Sequence, residues 1–307
     1  MPGKAAAFVV IAGGSQLDLD ECLLSLGEST CPPGQTIVVD NSPAGLCDHL
    51  SVSFPNVAAV QPRTRLTFAQ AANLGTRMAI ARGAGLVFLL NDDVTVHPRA
   101  LEILSTAESQ NGPGIYAPEI WPYETSRSRT RFALDWKKHL VVRVPVAVNG
   151  PLSPIDYAEG SGVLFSVEVV HMIGLFDEAF GFYYEDADFS LRAARAGFPV
   201  CEVEGARVWH KGSVSAGAGL SPFKAYYRAR NTLRFAWKHR NRAHLVSIAA
   251  YHFATFLVPS LVWAASRAVV GSRIGAQIAA ALARGTWDLF TGAGKPYLPR
   301  VVPPPSN

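Results

Sequence analysis

Charge is scarce in this chain, and none of it is gathered into blocks. Asp, Glu, Lys and Arg make up 17% of the 307 residues, with a formal net charge of +4. There is no Lys/Arg run and no zinc-finger spacing, so a nucleic-acid partner is not expected. Cysteine is scarce too. Cys22, Cys31, Cys47 and Cys201 form no Cys-x-x-Cys pair, which excludes a disulfide framework and reads as thiols in a reducing compartment. The opening MPGKAAAFVVIAGG lacks an export signal. Its apolar run is short and enters Gly13-Gly14, as a first buried strand does, so the cytoplasm is the expected location. One absence is local: Ala243 to Ser266 holds no Asp, Glu, Lys or Arg. About half the chain is apolar, enough for one large domain or a domain with an appendage.

Short apolar runs alternate with helical patterns. Strands are expected at Ala6–Ile11, Thr36–Val39, Val57–Val60 and Leu86–Leu90. Helices are expected at Leu17–Leu26, with Asp18 as its cap, and at Phe68–Ala81. This alternation predicts an α/β domain with a mostly parallel sheet, whose ligands bind beyond the carboxyl ends of the strands. Two strands end in acidic clusters, Asp40-Asn41-Ser42 and Asn91-Asp92-Asp93. Each could be a turn; two in one sheet favour a site.

Residues 111–157, rich in proline, read as loops and a hairpin over the sheet edge, with a β-rich run from Leu140 to Val148. Arg127, Arg129 and Arg131 there read as a solvated loop, with contact to an anionic acceptor as the alternative. Gly160–Val167 reads as a strand and Glu168–Ile173 as a short helix. Pro199–Val203 and Ala206–Trp209 are two further strands, the second ending at His210. A Gly/Ser loop (212–219) and a basic helix, Pro222–His239, follow. Between strands lies Phe182-Tyr183-Tyr184-Glu185-Asp186-Ala187-Asp188, an aromatic cluster running into three acids at a helix start. Acids are ordinary there, because the helix N-terminus is partly positive.

The uncharged stretch 243–266 is long enough to cross a bilayer, which needs about 20 residues. Pro259, His244 and His252 interrupt it, and basic residues flank it. A spanning helix, a helix lying in the membrane interface and a packing or dimer helix all remain open. Residues 275–289 make a further amphipathic helix, and the Pro-rich tail reads as extended. The expected division is 1–241, 242–292 and 293–307.

Four stretches in order, VVDNSPA, RTRLTFAQAANLGTRMA, FLLNDDV and the block from Gly160 to His210, resemble the inverting GT-A-type glycosyltransferases of family 2, especially the bacterial rhamnosyltransferase-like branch. The resemblance spans about Phe8 to Asn241. It implies a Rossmann-like nucleotide-sugar-binding domain that moves a sugar from a nucleotide diphosphate to an acceptor hydroxyl with inversion. It also implies Mn²⁺ or Mg²⁺ beside the diphosphate. Asn91-Asp92-Asp93 stands where the family carries Asp-x-Asp, and Asn91 departs from it. Asp93 is then the first metal ligand, with Asn91 as a neutral one, Asp92 a second candidate and nucleotide contact, and His210 a further ligand. By the same resemblance Asp186 is the base, and Glu185 orients it or binds acceptor hydroxyls. Asp188 caps the helix. The nucleotide is assigned to Ile11, Asp40, Asn41, Arg63 and Asn73. Donor or acceptor is assigned to Gly160, Ser161, Gly162, Tyr184, Arg228 and Arg230. The implied partners are a nucleotide-sugar donor, dTDP-rhamnose or a UDP-sugar, and a lipid-linked or polysaccharide acceptor at the cytoplasmic membrane face, with a homodimer through the C-terminal helices possible. A sugar-nucleotide nucleotidyltransferase is disfavoured, because IAGGSQLDLDE has no basic residue where such enzymes carry a basic Gly-rich loop. A non-catalytic scaffold is favoured only by Asn91.

Overall fold

All seven residues of β1 (Ala6–Ala12) are buried, as expected of a parallel strand covered on both faces. Phe8 and Val10 enter one apolar cluster, while Ala7, Val9 and Ile11 enter the other. A computed structural model describes residues 4–13, 15–43, 45–123, 129–135, 140–146, 150–212, 220–239 and 242–291. Arg127, most of the Gly/Ser loop and the Pro-rich tail lie outside the described residues.

The elements after β1 are α1 (Gln16–Gly27), β2 (Gln35–Asp40), α2 (Cys47–Ser53), β3 (Val57–Val60), α3 (Phe68–Ala81), β4 (Leu86–Asn91) and β5 (Val94–Val96). Next come α4 (Ala100–Asn111), β6 (Ile115–Pro122), β7 (Thr130–Asp135), β8 (Leu140–Pro145), β9 (Leu152–Pro154), β10 (Gly162–Ser166), α5 (Val167–Ile173), α6 (Glu185–Arg195) and β11 (Val200–His210). The main sheet runs β3-β2-β1-β4-β10-β6-β11-β5, with β9 beside β11; β7 and β8 pair separately. β3, β2, β1 and β4 are parallel, as are β6 and β11, while β10 runs antiparallel between β4 and β6. Residues of α1 and α4 cover one face, and residues of α3, α5 and α6 the other.

Local chemistry sets the helix starts. Ser15, not Asp18, caps α1, its side chain accepting from Leu17 N at 3.2 Å. Thr67 and Gln70 close a capping box on α3. Gly75 lets α3 approach the sheet: a Cβ there would sit 2.3 Å from Val9 Cγ1 and 3.1 Å from Val39 Cγ2.

Two expectations change. Ile115–Pro122 is not a loop but an inner strand between β10 and β11. Its Pro118 pairs with Val203, where the β6–β11 register shifts and Arg207 becomes the next partner, opposite Glu119. The missing proline N–H therefore falls where the ladder is already broken. The two strands expected over 199–209 are one strand, β11, carrying that bulge, with Gly205 at φ +81°.

The chain divides into two compact units. Met1–Leu134, Val141–Gly181 and Glu185–Val214 form the first; Asp135–Leu140, Phe182–Tyr184 and Ser215–Asn307 form the second. The second contains α7 (Pro222–His239), α8 (Arg242–His252), a π-helical turn (Phe253–Leu257), α9 (Val258–Val269) and α10 (Arg273–Thr291). α7, placed by the sequence reading in the first domain, clusters here: its Tyr226, Tyr227 and Ala229 pack with Ile278, Ala281 and Leu282 of α10. At Gly285 a Cβ would meet Tyr226 O at 2.4 Å, so only glycine permits this crossing. The π-turn precedes Pro259, whose missing N–H would otherwise bond to the Thr255 carbonyl.

Candidate active site

Register alone brings the first unit's polar strand ends together. Ala12 pairs with Asp40, Ile11 with Asn91, Gly162 with Leu90, and His210 with Val94. Gly13, Asp40, Asn91–Asp93, Gly160–Gly162 and His210 therefore share one sheet edge, the carboxyl end of the parallel strands.

Asp93 Oδ1 stands 3.2 Å from His210 Nε2, yet neither atom has an aligned hydrogen-bond partner, although both are buried. Burial lowers the pKa of the His210 ring, but Asp93, with Glu159 and Asp92 beyond it, raises it overall. A buried carboxylate oxygen and a ring nitrogen left without hydrogen bonds fit a divalent ion, and His with carboxylate suits Mn²⁺. Ser161 Oγ is a third buried atom of this edge without a partner. Among the described residues no third His, Cys, Asp or Glu completes a metal-binding group, so two protein ligands would leave positions for oxygens of a diphosphate. Asp92 instead accepts from Gly13 N at 2.9 Å and tethers β1 to the acidic turn. Asn91 N donates to Ser161 O at 3.2 Å. Lys211, next to His210, donates to Asp18 and Glu21 of α1 at 2.5 Å each, which gives Asp18 its use.

α6 starts at Glu185 and carries all three acids in its first turn. Asp186 accepts from Gly160 N at 3.2 Å and from Ala187 N at 2.8 Å. Burial raises its pKa, and those N–H groups hold the rise back. Gly160 is close to the aromatic ring of Phe68: a Cβ would lie 3.0 Å from it and 3.8 Å from Asp186 Cβ. Glu185 is 5% exposed, and its Oε2 has no hydrogen-bond partner. Burial first, then the Asp186 charge, pushes its pKa well above the usual carboxylate range. Asp188 is fully buried and paired to Arg192 at 2.8 Å, and Arg192 donates to the carbonyls of Ile173 and Leu175. That pair fixes α6 against the turn after α5.

Several residues assigned to the nucleotide are occupied within the fold. Asp40 accepts from Ser42 N at 3.1 Å, Ser42 Oγ at 2.5 Å and Leu46 N. It shapes the loop after β2. Asn41 exchanges hydrogen bonds with the Leu66 backbone at 2.9 and 2.8 Å. Asn73 binds Phe176 O, Phe176 N and Glu178 Oε1, all within 3.0 Å, and so holds the Leu175–Glu178 segment that leads to α6. Ile11 is a buried residue of β1. Arg63 is exposed, whereas Arg65 is half-buried and desolvation lowers its pKa. The Arg-Thr-Arg pattern offered no way to rank these two. Glu159, close enough to act on His210, was also missed; its place directly before Gly160-Ser161-Gly162 was the available signal. Arg129 is no solvated loop residue: it is nearly buried between Glu119 and Glu202.

Tyr184, Arg228 and Arg230 belong to the second unit. Tyr183 and Tyr184 have φ of 63° and 73°, a left-handed pair that non-glycine residues rarely adopt. Asn231 Nδ2 holds this turn by donating to Phe182 O at 2.7 Å and Tyr183 O at 3.0 Å, and Tyr184 OH meets Thr232 Oγ1 at 3.0 Å. Arg230 Nη1 donates to Tyr226 OH at 3.3 Å, and the Arg228 guanidinium lies 4.6 Å from the Phe256 ring centroid.

Known proteins share this architecture. The mannosyltransferase PcManGT from Pyrobaculum calidifontis, solved with GDP-Man and Mn²⁺, superposes with a TM-score of 0.60 at 14% identity, covering 95% of this chain and 88% of that one. Residues 1–349 of S. aureus TarS, solved with UDP-GlcNAc, give 0.59 at 14% identity, covering 94% and 92%. These likenesses establish the GT-A fold. In sequence, the chain is 23% identical over 203 residues to the low-salt glycan biosynthesis hexosyltransferase Agl10 of Haloferax volcanii, spanning 64% of each chain. It is 22% identical over 249 residues to the dTDP-rhamnosyl transferase RfbF of Shigella flexneri, covering 75% of this chain and 79% of RfbF. The model of glycosyl transferase family group 2 matches residues 86–288, well over half of the chain, and the chain belongs to that family.

Proposed function

We propose that this protein is an inverting, metal-dependent hexosyltransferase that moves a sugar from a nucleotide diphosphate to a hydroxyl of a lipid-linked or polysaccharide acceptor. dTDP-rhamnose or a UDP-sugar is the donor class, cell-envelope glycan synthesis the setting, and the cytoplasmic face of a membrane the place. The observation that carries this reading is a shared edge. Asp186 accepts from Gly160 N at 3.2 Å, and Asn91, which opens the acidic turn bearing Asp93, donates to Ser161 O at 3.2 Å, so both acidic clusters are tied to the segment that leads into β10, while Asp93 stands 3.2 Å from His210.

Asp186, with its raised pKa, takes the acceptor proton as the acceptor oxygen bonds to the anomeric carbon. The bond from that carbon to the diphosphate breaks on the opposite side, and its electron pair leaves with the diphosphate. Attack from the opposite face inverts the centre. Glu185, buried and with its pKa raised by burial and by the Asp186 charge, orients Asp186 or binds acceptor hydroxyls. Gly160 and Gly162 allow backbone to approach the sugar. Asp93 and His210 would hold Mn²⁺ or Mg²⁺, which would supply positive charge to offset that of the leaving diphosphate.

The test is transfer from a panel of nucleotide sugars by wild type and Asp186→Asn. Transfer should fall by about 10²–10⁴-fold while donor binding persists. Near-normal turnover in Asp186→Asn would remove the base and with it this reading.

A further inference from the structure

The second unit carries an apolar surface that its own packing leaves uncovered. The helix Leu245–Val269 has a mean hydropathy of 1.7 in its most apolar window, of which only 22% is buried. Its inner residues Phe256, Leu257 and Ala264 join the cluster with Tyr226, Ile278 and Leu282. Its outer residues Val258, Leu261, Val262 and Val269 recur at helical spacing and stay 53%, 45%, 63% and 87% exposed. Trp237, Trp263 and Trp287 are 69%, 47% and 68% exposed. The segment that carries this surface is almost entirely of one sign of charge. Residues 220–291 contain ten Lys and Arg but a single acid, Asp288. That acid is buried and already bound to Tyr226 OH at 2.7 Å and to Arg284 at 3.5 Å.

We propose that this surface lies in the headgroup–acyl boundary of a bilayer containing anionic lipid, with the helix Leu245–Val269 in the membrane plane. Exposed aliphatic residues supply the buried area, tryptophan suits the interface, and the excess of Lys and Arg complements anionic headgroups. A spanning arrangement is disfavoured by the packing of the inner face. At Gly275 of α10 a Cβ would lie 2.8 Å from Ala264 O, so the two helices are in backbone contact. Crossing would carry α10, with Arg273, Arg284 and Asp288, into hydrocarbon. A second copy as occupant is disfavoured by charge, since two such surfaces would repel. The inference stands on this surface and is independent of the transfer chemistry.

The test is flotation of the full chain with phosphatidylcholine vesicles, with and without phosphatidylglycerol, comparing wild type, Val262→Asp/Val269→Asp and Asp186→Asn. Wild type and Asp186→Asn should bind the anionic vesicles at least about tenfold better than the neutral ones, less well in high salt, and leave them in alkaline carbonate. The double aspartate variant, its folding checked by circular dichroism, should lose about tenfold. Brominated lipids should quench tryptophan fluorescence of the wild type, a readout that needs no variant. Failure of the wild type to bind either vesicle overturns the proposal. Resistance to carbonate overturns it in favour of a spanning helix. A dimer broken by the aspartates, with no vesicle binding, overturns it in favour of a second copy.

Discussion

Glu185 is the residue where structure and pH meet most directly. Its folded-state pKa is raised well above the ordinary value by burial and by Asp186. Between the unfolded pKa and the raised folded one, the folded state holds the proton that the unfolded state releases. Stability therefore falls as pH rises through this window, by about 1.4 kcal/mol per pH unit for one proton. Glu185→Gln removes that dependence. It should raise the melting temperature above the window and leave it unchanged below the unfolded pKa, as pH-series thermal denaturation will read. Asp186 obeys the same sign, so the acid limb of its activity profile should lie above that of an unperturbed Asp. The site acids were legible as residues because each stands at a strand end or helix start. The internal hydrogen bonds of Asp40, Asn41 and Asn73 were not. A polar side chain at a strand end reads the same whether or not it also bonds to its own loop, as Asp40 does.

At the scale of elements, close approach decides. α3 sits on β1 and β2 only because residue 75 has no Cβ. Gly75→Ala should destabilise by about 1–3 kcal/mol through overpacking against Val9, measured by denaturant titration. In the second unit, Asn231 of α7 holds the left-handed turn at Tyr183–Tyr184, which leads directly into the helix bearing Asp186. Asn231→Ala should destabilise by about 1–3 kcal/mol, because the Phe182 and Tyr183 carbonyls lose their donor, as denaturant titration will read. The strands of apolar periodicity and α3 were legible in the sequence. β6 was hidden, because prolines at 118 and 122 read as loop unless the bulge in its partner β11 is known.

For the whole molecule, ligand binding couples to folding. A donor nucleotide sugar with Mn²⁺ at about 100 times its dissociation constant should stabilise the chain by about 2.7 kcal/mol. Thermal shift reads this, and the part that requires metal should vanish in His210→Ala. The parallel-sheet domain was visible from alternating patterns, but its limit was not. The uncharged run after Arg242 looks like a boundary, whereas α7 packs with the helices that follow it.

The bulge in β11 has a consequence for the chemistry at the far end of that strand. Val203 pairs with Pro118 and Arg207 with Glu119, so three residues of β11 are spent where β6 advances by one. The length of that detour is an address. It selects which side chain arrives beside Asp93. Were one residue lost between 204 and 206 and not absorbed at Gly205, Lys211 would arrive in the place of His210. An ammonium group would then stand beside Asp93, and the acidic turn would be neutralised from within the chain itself.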